Sequence, residues 1–148
     1  MGTLATGAAC RSTSRPTAPS CGRRKRQRAY AFGVAGERSV ASFLHAGAYA
    51  VLAHRARIGR CEVDLIATRD DVVAFVEVKA RRNGVDGLEA VTRAKMKRLS
   101  RAADAWLAAN DAFADCSIRF DVALVGADRS IDYLENAYEA VEYDQYAA

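Results

Sequence analysis

The sequence has few of the residues that mark a secreted, membrane-spanning or zinc-binding protein. It contains two prolines (Pro16 and Pro19), two histidines and four cysteines in 148 residues. The cysteines show no CxxC spacing and no histidine at metal-ligand spacing, which excludes the common zinc motifs. No apolar run approaches the roughly 20 residues that cross a bilayer, and none resembles a secretory leader. We therefore expect a cytoplasmic protein with reduced cysteines and no membrane partner.

Acidic residues are missing from one end of the chain. Residues 1–28 carry seven basic residues and no acid, whereas residues 128–148 carry six acids and one arginine. Most of the net charge of +4 therefore belongs to a tail. We predict a disordered basic tail at 1–28, one folded domain at 29–138 and an acidic C-terminal tail at 139–148. The basic run at 23–28 could attach to nucleic acid by charge, or could be a solvated arm.

Residues 62–79 predict a β-hairpin. Two runs rich in β-branched and aromatic residues flank a short acidic turn at Asp70-Asp71. A slip of one residue would mix apolar and polar side chains on both faces, so the hydrophobic pattern determines the parity of the register. We expect one face to be apolar throughout and to comprise Val63, Leu65, Ala67, Val72, Ala74, Val76 and Val78.

The same register places acidic side chains opposite each other. Asp64 falls opposite Glu77, and Glu62 falls opposite Lys79, with Cβ atoms about 5 Å apart. Two ionised carboxylates at such a distance repel by roughly 3–4 kcal/mol at an effective dielectric near 20. A shared proton, a salt bridge to Lys79 or a divalent cation would each offset this repulsion. The pattern is therefore typical of a Mg²⁺ site beside a lysine, or of a surface ion-pair cluster that contributes little stability.

Two amphipathic helices are predicted, one on each side of the hairpin in sequence. Residues 30–47 form the first, and Glu37 lies in the middle of its apolar arc. A carboxylate there needs a partner or a cation, although a position early in the helix offers a milder explanation through the helix dipole. Residues 92–110 form the second, whose buried face holds Met96, Leu99, Ala103 and Trp106.

The second helix also predicts a basic surface. Its cations would lie on one exposed side, an arrangement that suits a phosphodiester backbone but also occurs on any soluble helix. The arginines at 55–60 could likewise hold phosphates or belong to a solvated loop. We expect nucleic-acid contacts from Arg57, Arg81, Arg82, Arg93, Lys95, Lys97, Arg98 and Arg101.

Further strands are predicted on either side of this core. Residues 49–54 form a first strand before the arginines. Residues 117–125 alternate, which predicts apolar side chains facing inward and Arg119 and Asp121 facing outward. Residues 130–134 add an edge strand, and the remaining acidic end is predicted to be a short helix or a frayed tail.

In combination these motifs resemble the bacterial YraN family, which is placed among the PD-(D/E)xK nucleases. The resemblance spans about residues 33–138, and the order of its acids and lysine is also similar to that of archaeal Holliday-junction resolvases. Cys61 stands where the family usually has glycine, and Ala80 where it commonly has threonine. The motifs that carry the resemblance are Gly36-Glu37, Glu62-Val63-Asp64-Leu65-Ile66-Ala67, Phe75-Val76-Glu77-Val78-Lys79, Val91-Thr92 with Lys95, and Arg119-Phe120-Asp121-Val122.

The resemblance implies an α/β fold, namely a restriction-endonuclease-like core with a mixed central β-sheet flanked by helices. It also implies an endonuclease that depends on Mg²⁺ or Mn²⁺ and acts on DNA, with branched and repair intermediates among its substrates. Asp64, Glu77 and Glu37 would bind the metal and, with Lys79 assisting the attacking water, would form the catalytic set. The alternative is a non-catalytic accessory protein that binds nucleic acid with the same fold. The oligomeric state stays open, a dimer included.

Overall fold

The computed structural model describes residues 21–80 and 93–140. Within these ranges the chain forms two α-helices, a short 3-10 helix at Asp111–Phe113 and five strands. Neither α-helix is both long and apolar enough to cross a bilayer. In chain order the main elements are α1 Cys21–Ala46, β1 Ala50–Ile58, β2 Cys61–Arg69, β3 Val72–Ala80, α2 Arg93–Ala108, β4 Ser117–Val125 and β5 Ile131–Tyr138.

The five strands form one mixed sheet in the order β1-β2-β3-β4-β5. Strands β3 and β4 are parallel, and the other neighbours are antiparallel. A parallel pair needs a crossover connection, and the segment that contains α2 supplies it. Helix α1 packs on one face of the sheet and α2 on the other. This is the restriction-endonuclease-like α/β core that the resemblance implies, so the fold prediction is confirmed.

Each helix closes one hydrophobic layer. On the α1 side, Val40 and Leu44 are buried against a small-residue surface of β2, β3 and β4. On the α2 side, Met96, Leu99 and Ala103 are buried, and Trp106 meets the ring of Phe75 edge-on with centroids 5.9 Å apart. The face predicted for the second helix is therefore confirmed.

The hairpin has the predicted register next to its turn. The ladder between β2 and β3 begins at Arg69–Val72 and continues to Leu65–Val76. Two residues connect the strands, and the first, Asp70, has a φ of 55°. Aspartate tolerates this left-handed conformation better than most residues, which lets Asp-Asp serve in a tight turn.

The hydrophobic face of β2 changes sides at Asp64, which corrects the predicted face. Leu65 packs on the α1 side, whereas Val63 packs on the α2 side. The neighbouring strand is irregular at the same level: Arg55, between the rungs that pair with Val63 and Leu65, has a φ of 47°. A left-handed residue interrupts the alternation of side chains between the two faces. The prediction that Val63 shares a face with Leu65 is therefore wrong.

Helix α1 begins nearer the N-terminus than the sequence predicted. It starts at Cys21 rather than at residue 30, and residues 24–31 are exposed. Arginine, lysine and glutamine have good helix propensity, so they extend a helix that is anchored further along without needing a core. Residues 1–20 lie outside the described residues, and the predicted domain boundaries remain predictions. Glu37 lies well inside the helix, so the N-terminal dipole does not explain it.

Strands β1 and β5 are longer than predicted. Strand β1 continues to Ile58, so Arg55 and Arg57 belong to a strand and not to a loop. Strand β5 continues to Tyr138, so the predicted helix or frayed tail does not begin before that residue. In both extensions the sequence is too polar to predict a strand. Pairing with a neighbouring strand satisfies their backbone hydrogen bonds and so extends β1 and β5.

Asp121 faces the interior and not the solvent, contrary to the sequence prediction. Its exposed fraction is 1%, and the side chain of Arg119 is 17% exposed. Strand β4 lies between β3 and β5 in the sheet, with helices on both faces. Alternation predicts a solvated face only when one face of the sheet is open to water.

Candidate metal and nucleic-acid site

Asp64 lies where β2 and β3 separate. The described ladder between these strands ends at Leu65–Val76, and Oδ2 of Asp64 accepts a hydrogen bond of 2.7 Å from the backbone N–H of Val78. In an unbroken antiparallel ladder, that amide would donate to a backbone carbonyl of β2. Asp64 and Glu77 therefore do not form the regular rung that was predicted, and neither do Glu62 and Lys79. The side chain of Asp64 replaces a strand hydrogen bond instead.

The carboxyl of Asp64 is poorly neutralised. Burial raises its pKa from 3.8 to about 6, and repulsion from Glu77 and Glu37 adds to this rise. The hydrogen bond from Val78 and the charge of Lys79 act in the opposite direction and are outweighed. The three acids predicted from the sequence are thus close enough to interact, and the ionisation of Asp64 is disfavoured.

Glu77 is neutralised by two lysines. Its Oε1 accepts from Nζ of Lys95 at 2.6 Å and lies 2.8 Å from Nζ of Lys79. Burial alone would raise the pKa of Glu77, but the hydrogen bonds from both lysines outweigh it and lower the pKa. Glu77 and Lys79 are two residues apart on one strand, so they share a face of the sheet. Lys79 therefore pairs with Glu77 and not with Glu62.

Glu37 has an arginine as its partner. Nε and Nη2 of Arg55 each donate to one carboxylate oxygen of Glu37 at 2.8 Å. The side chain of Glu37 is 13% exposed, and the phenol of Tyr30 accepts from Nη1 of Arg55 at 3.0 Å. Such a bidentate pair satisfies a buried carboxylate. Glu37, on the apolar arc of α1, is thus paired with Arg55 of β1.

A divalent cation fits part of this acidic set. Among the residues that the structure describes, no three or more His, Cys, Asp and Glu side chains are grouped to hold a metal ion. Mg²⁺, however, is commonly bound by one or two carboxylates, with water and substrate phosphates completing its shell. Asp64 and Glu77 fit this pattern, since both donors are oxygens and Asp64 needs positive charge nearby. Glu37 fits less well because Arg55 engages both of its oxygens.

The raised pKa of Asp64 predicts a characteristic pH dependence of stability. The folded state holds the proton of Asp64 more tightly than the unfolded state does, so this group favours folding below pH 4. That contribution is lost as the pH rises from about 4 to 6. In the absence of divalent metal, Asp64→Asn is therefore expected to become more stable than the wild type by up to about 3 kcal/mol above pH 6.5. Urea unfolding of both proteins at several pH values measures this difference, and a difference independent of pH would contradict the assignment.

The predicted basic residues divide into groups. Lys95 belongs to the acidic site through Glu77. The side chain of Arg57 is 79% exposed, with Nη2 3.9 Å from Glu62. Arg81 and Arg82 lie outside the described residues. The remaining predicted contacts are exposed on α2, and they are Arg93, Lys97, Arg98 and Arg101.

Two ion pairs of the candidate site were not predicted from the sequence. The contact of Lys95 with Glu77 joins a helix to a strand across 18 positions, and no local pattern indicates it. The pair of Glu37 with Arg55 is equally remote, joining α1 to β1. By contrast, Arg119 and Asp121 are two residues apart on one strand, so their shared face was available as a signal for an ion pair.

Comparison with known proteins places the chain in a family. The family model described as "Uncharacterised protein family UPF0102" matches residues 36–125, which include Glu37, Asp64, Glu77 and Lys79. A UPF0102 protein of Azorhizobium caulinodans is 38% identical over 127 residues, covering 85% of this chain and 97% of the relative. One from Chelativorans is 42% identical over 118 residues, covering 80% and 95% respectively. The chain therefore belongs to the UPF0102 family, which is the YraN family that its motifs indicated.

Proposed function

We propose that the protein is a Mg²⁺-dependent endonuclease that hydrolyses phosphodiester bonds in DNA. The observation that supports this proposal is the splayed end of β2 and β3, where Asp64 and Glu77 lie beside two lysines. A structural ion-pair cluster has no need of the second, poorly neutralised carboxylate. Buried acids with perturbed pKa values beside a charged partner are typical of functional sites. A DNA substrate also agrees with the cytoplasmic location expected from the sequence.

In the proposed mechanism, Asp64 and Glu77 would hold the cation. Mg²⁺, when bound, would supply positive charge for the reacting phosphate and make water a better nucleophile. Glu37 as a third ligand remains a prediction, because it would have to give up part of its pair with Arg55. The Val78 amide keeps Oδ2 of Asp64 oriented, and among the residues that the structure describes no hydrogen bond is found to its other oxygen, which could then hold a ligand.

Lys79 is assigned the role of stabilising negative charge. Its ammonium lies 2.8 Å from Oε1 of Glu77, and its side chain is 43% exposed. The hydrogen bond to Glu77 raises its pKa, so it stays protonated at neutral pH. A charged donor at the mouth of the site can hydrogen-bond to a phosphate oxygen and to the incoming water, and such fixed donors lower the barrier as charge develops. Exposed cations of α2 would hold the flanking phosphates.

The proposal is tested by incubating the purified protein with DNA. Duplex, single-stranded, flap and four-way-junction substrates, labelled at one end, should be cut in Mg²⁺ or Mn²⁺ and left intact in EDTA. Sequencing gels show whether cuts are internal, as an endonuclease requires. Absence of cutting on every substrate in both metals, by folded protein, would refute the proposal.

A second candidate function has its own supporting observation. The lysines on Glu77 and the arginine on Glu37 neutralise two of the three acids without any metal. This pairing favours a non-catalytic accessory protein that binds nucleic acid. Such a protein would bind DNA in a salt-sensitive manner without turnover, and divalent metal would not raise its melting temperature.

A further inference from the structure

A cavity that the sequence did not indicate lies between α2 and the turn that joins β1 to β2. Its volume is about 420 Å³, which is at the low end of the range, roughly 300–1,000 Å³, of cavities that hold small ligands. The turn supplies one wall and α2 the other. The residues that line it are Ile58, Gly59, Arg60, Cys61, Arg98, Arg101, Ala102 and Ala105.

A smaller cavity lies between this space and the candidate cleavage site. It has a volume of about 240 Å³ and is lined in part by Glu77 and Lys95. It shares three lining residues with the larger cavity, namely Arg60, Cys61 and Arg98. The two spaces therefore lie on either side of a shared set of residues, and the smaller one reaches Glu77.

The walls of the larger cavity suit a nucleotide. Ile58, Ala102 and Ala105 present apolar surface that can cover the face of a base. Three arginines lie around the same space, and a guanidinium can pair with a phosphate or stack on a base. The positive charge around this cavity is thus complementary to the phosphates of a nucleic-acid strand. It does not suit a metal cation, which acidic ligands would hold. The volume admits one nucleotide but not a stacked duplex.

We infer that this cavity receives one unstacked nucleotide of the bound DNA strand, next to the phosphate that is cleaved at Glu77 and Lys79. The inference rests on the proposed function and narrows its substrate class to DNA with an unpaired or easily extruded nucleotide beside the scissile bond. Taking a nucleotide out of a stack is least costly at a mismatch, a junction or a single-stranded end. The cavity therefore selects for such structures through the energy of unstacking.

Two substitutions of alanine by leucine on α2 test whether a nucleotide occupies the cavity. Ala105 lines the cavity, whereas Ala108, three residues later on the same helix, is exposed and lies outside it. Leucine has high helix propensity, so Ala105→Leu and Ala108→Leu should both fold, and circular dichroism with thermal melting verifies this. Binding is measured by fluorescence anisotropy in EDTA, with a duplex carrying one unpaired nucleotide and a matched duplex that is abasic at that position.

The wild type is expected to bind the nucleotide-bearing duplex about tenfold more tightly than the abasic one, because only the first duplex has a base that the apolar wall and the guanidinium groups can cover. Ala105→Leu should reduce this ratio to near one, and Ala108→Leu should preserve it. A wild type that binds both duplexes equally, or an Ala105→Leu protein that keeps the preference, would overturn the inference.

A second pair of variants tests the arginines. Arg98 lines both cavities, whereas Lys97, its neighbour on the helix, lies outside both. Arg98→Gln should lower the slope of binding against salt by about 1 and should also weaken the preference for the nucleotide-bearing duplex. Lys97→Gln should weaken binding to both duplexes equally. Equal effects of the two substitutions on the preference would contradict a role for the cavity.

The binding test and the cleavage test distinguish a failure of this inference from a failure of the proposed function. If Mg²⁺-dependent cleavage occurs without any nucleotide preference, the nucleotide cavity is wrong and the proposed function stands. If the preference is present but nothing is cut, the cavity stands and the nuclease activity is wrong. If folded protein shows no preference for the nucleotide-bearing duplex in EDTA and cuts no substrate in Mg²⁺ or Mn²⁺, both are wrong.

Discussion

Replacement of Asp64 by asparagine is expected to reduce the rate of Mg²⁺-dependent DNA cleavage at least ~10³-fold. A bound divalent cation contributes several kcal/mol of transition-state stabilisation, and each ~1.4 kcal/mol is a factor of ten in rate. Asparagine keeps an oxygen that can accept from the Val78 amide, but it removes the negative charge that holds the cation. The loss should therefore come from the chemistry and not from the fold.

Measurements of stability distinguish these two causes. Without metal, Asp64→Asn should melt at a higher temperature than the wild type at neutral pH, because a buried and poorly neutralised charge has been removed. Added Mg²⁺ should raise the melting temperature of the wild type and leave that of the variant unchanged. The expected combination is a protein that is more stable and almost inactive.

Glu62→Gln is the matched control for this substitution. Glu62 lies two residues from Asp64 on the same strand, its side chain is 49% exposed, and its carboxylate is 3.9 Å from Arg57. Exposed ion pairs at such distances contribute little, so the cleavage rate should stay within about twofold of the wild type. An Asp64→Asn protein that retains the wild-type rate, or a Glu62→Gln protein that loses it, would place the chemistry elsewhere.

The largest loss of stability is expected from Asp121→Ala. Asp121 is 1% exposed and accepts from Arg119 at 2.8 Å, from the hydroxyl of Tyr133 at 2.6 Å and from the backbone N–H of Asn136 at 2.8 Å. Burial and the bond to Asp121 hold the pKa of Tyr133 well above its usual range, so the phenol remains a donor. Alanine would leave all three donors without this acceptor. Removing one partner of a buried ion pair typically costs about 3–5 kcal/mol, and we expect a loss of this size in urea unfolding at pH 7.

Glu135→Gln serves as the control within the same network. Glu135 accepts from the hydroxyl of Tyr49 at 2.9 Å and lies 3.3 Å from Nη1 of Arg119, but its side chain is 49% exposed. Water screens this contact, so the variant should lose no more than about 1 kcal/mol. If Asp121→Ala lost as little as Glu135→Gln, the burial of Asp121 would not be stabilising the contact of β4 with β5.

Local sequence patterns predicted the structure correctly wherever residues close together in the chain determine it. The period of two in the hairpin and the turn at Asp70 determine which residues pair next to the turn, because a slip would expose a whole apolar face. The period of 3.6 in α2 likewise determines that Met96 and Leu99 are buried. Asp64, Glu77 and Lys79 could be identified as a set for the same reason, since they lie close together in the chain on two neighbouring strands.

Local patterns failed where the environment of a residue depends on distant elements. Asp121 was expected to face water because its strand alternates, but two covered faces leave no solvated side. Val63 was placed on the wrong face because β2 changes sides at Asp64, next to the left-handed Arg55 of the neighbouring strand. Neither error could be detected in the strand's own sequence.

The sequence by itself determined the hairpin register near its turn and the buried face of α2, and its resemblance to a known family implied the fold class and, with the hairpin pattern, the acids and lysine of the candidate site. The register and the buried face follow from spacing along the chain, where backbone geometry sets which side chains are neighbours. Only the tertiary structure decided how those acids are neutralised: Val78 donates to Asp64, Lys95 from a helix to Glu77, and Arg55 to Glu37. It also decided that a basic cavity adjoins them, because burial and electrostatic interaction depend on distances in space that the spacing of residues does not set.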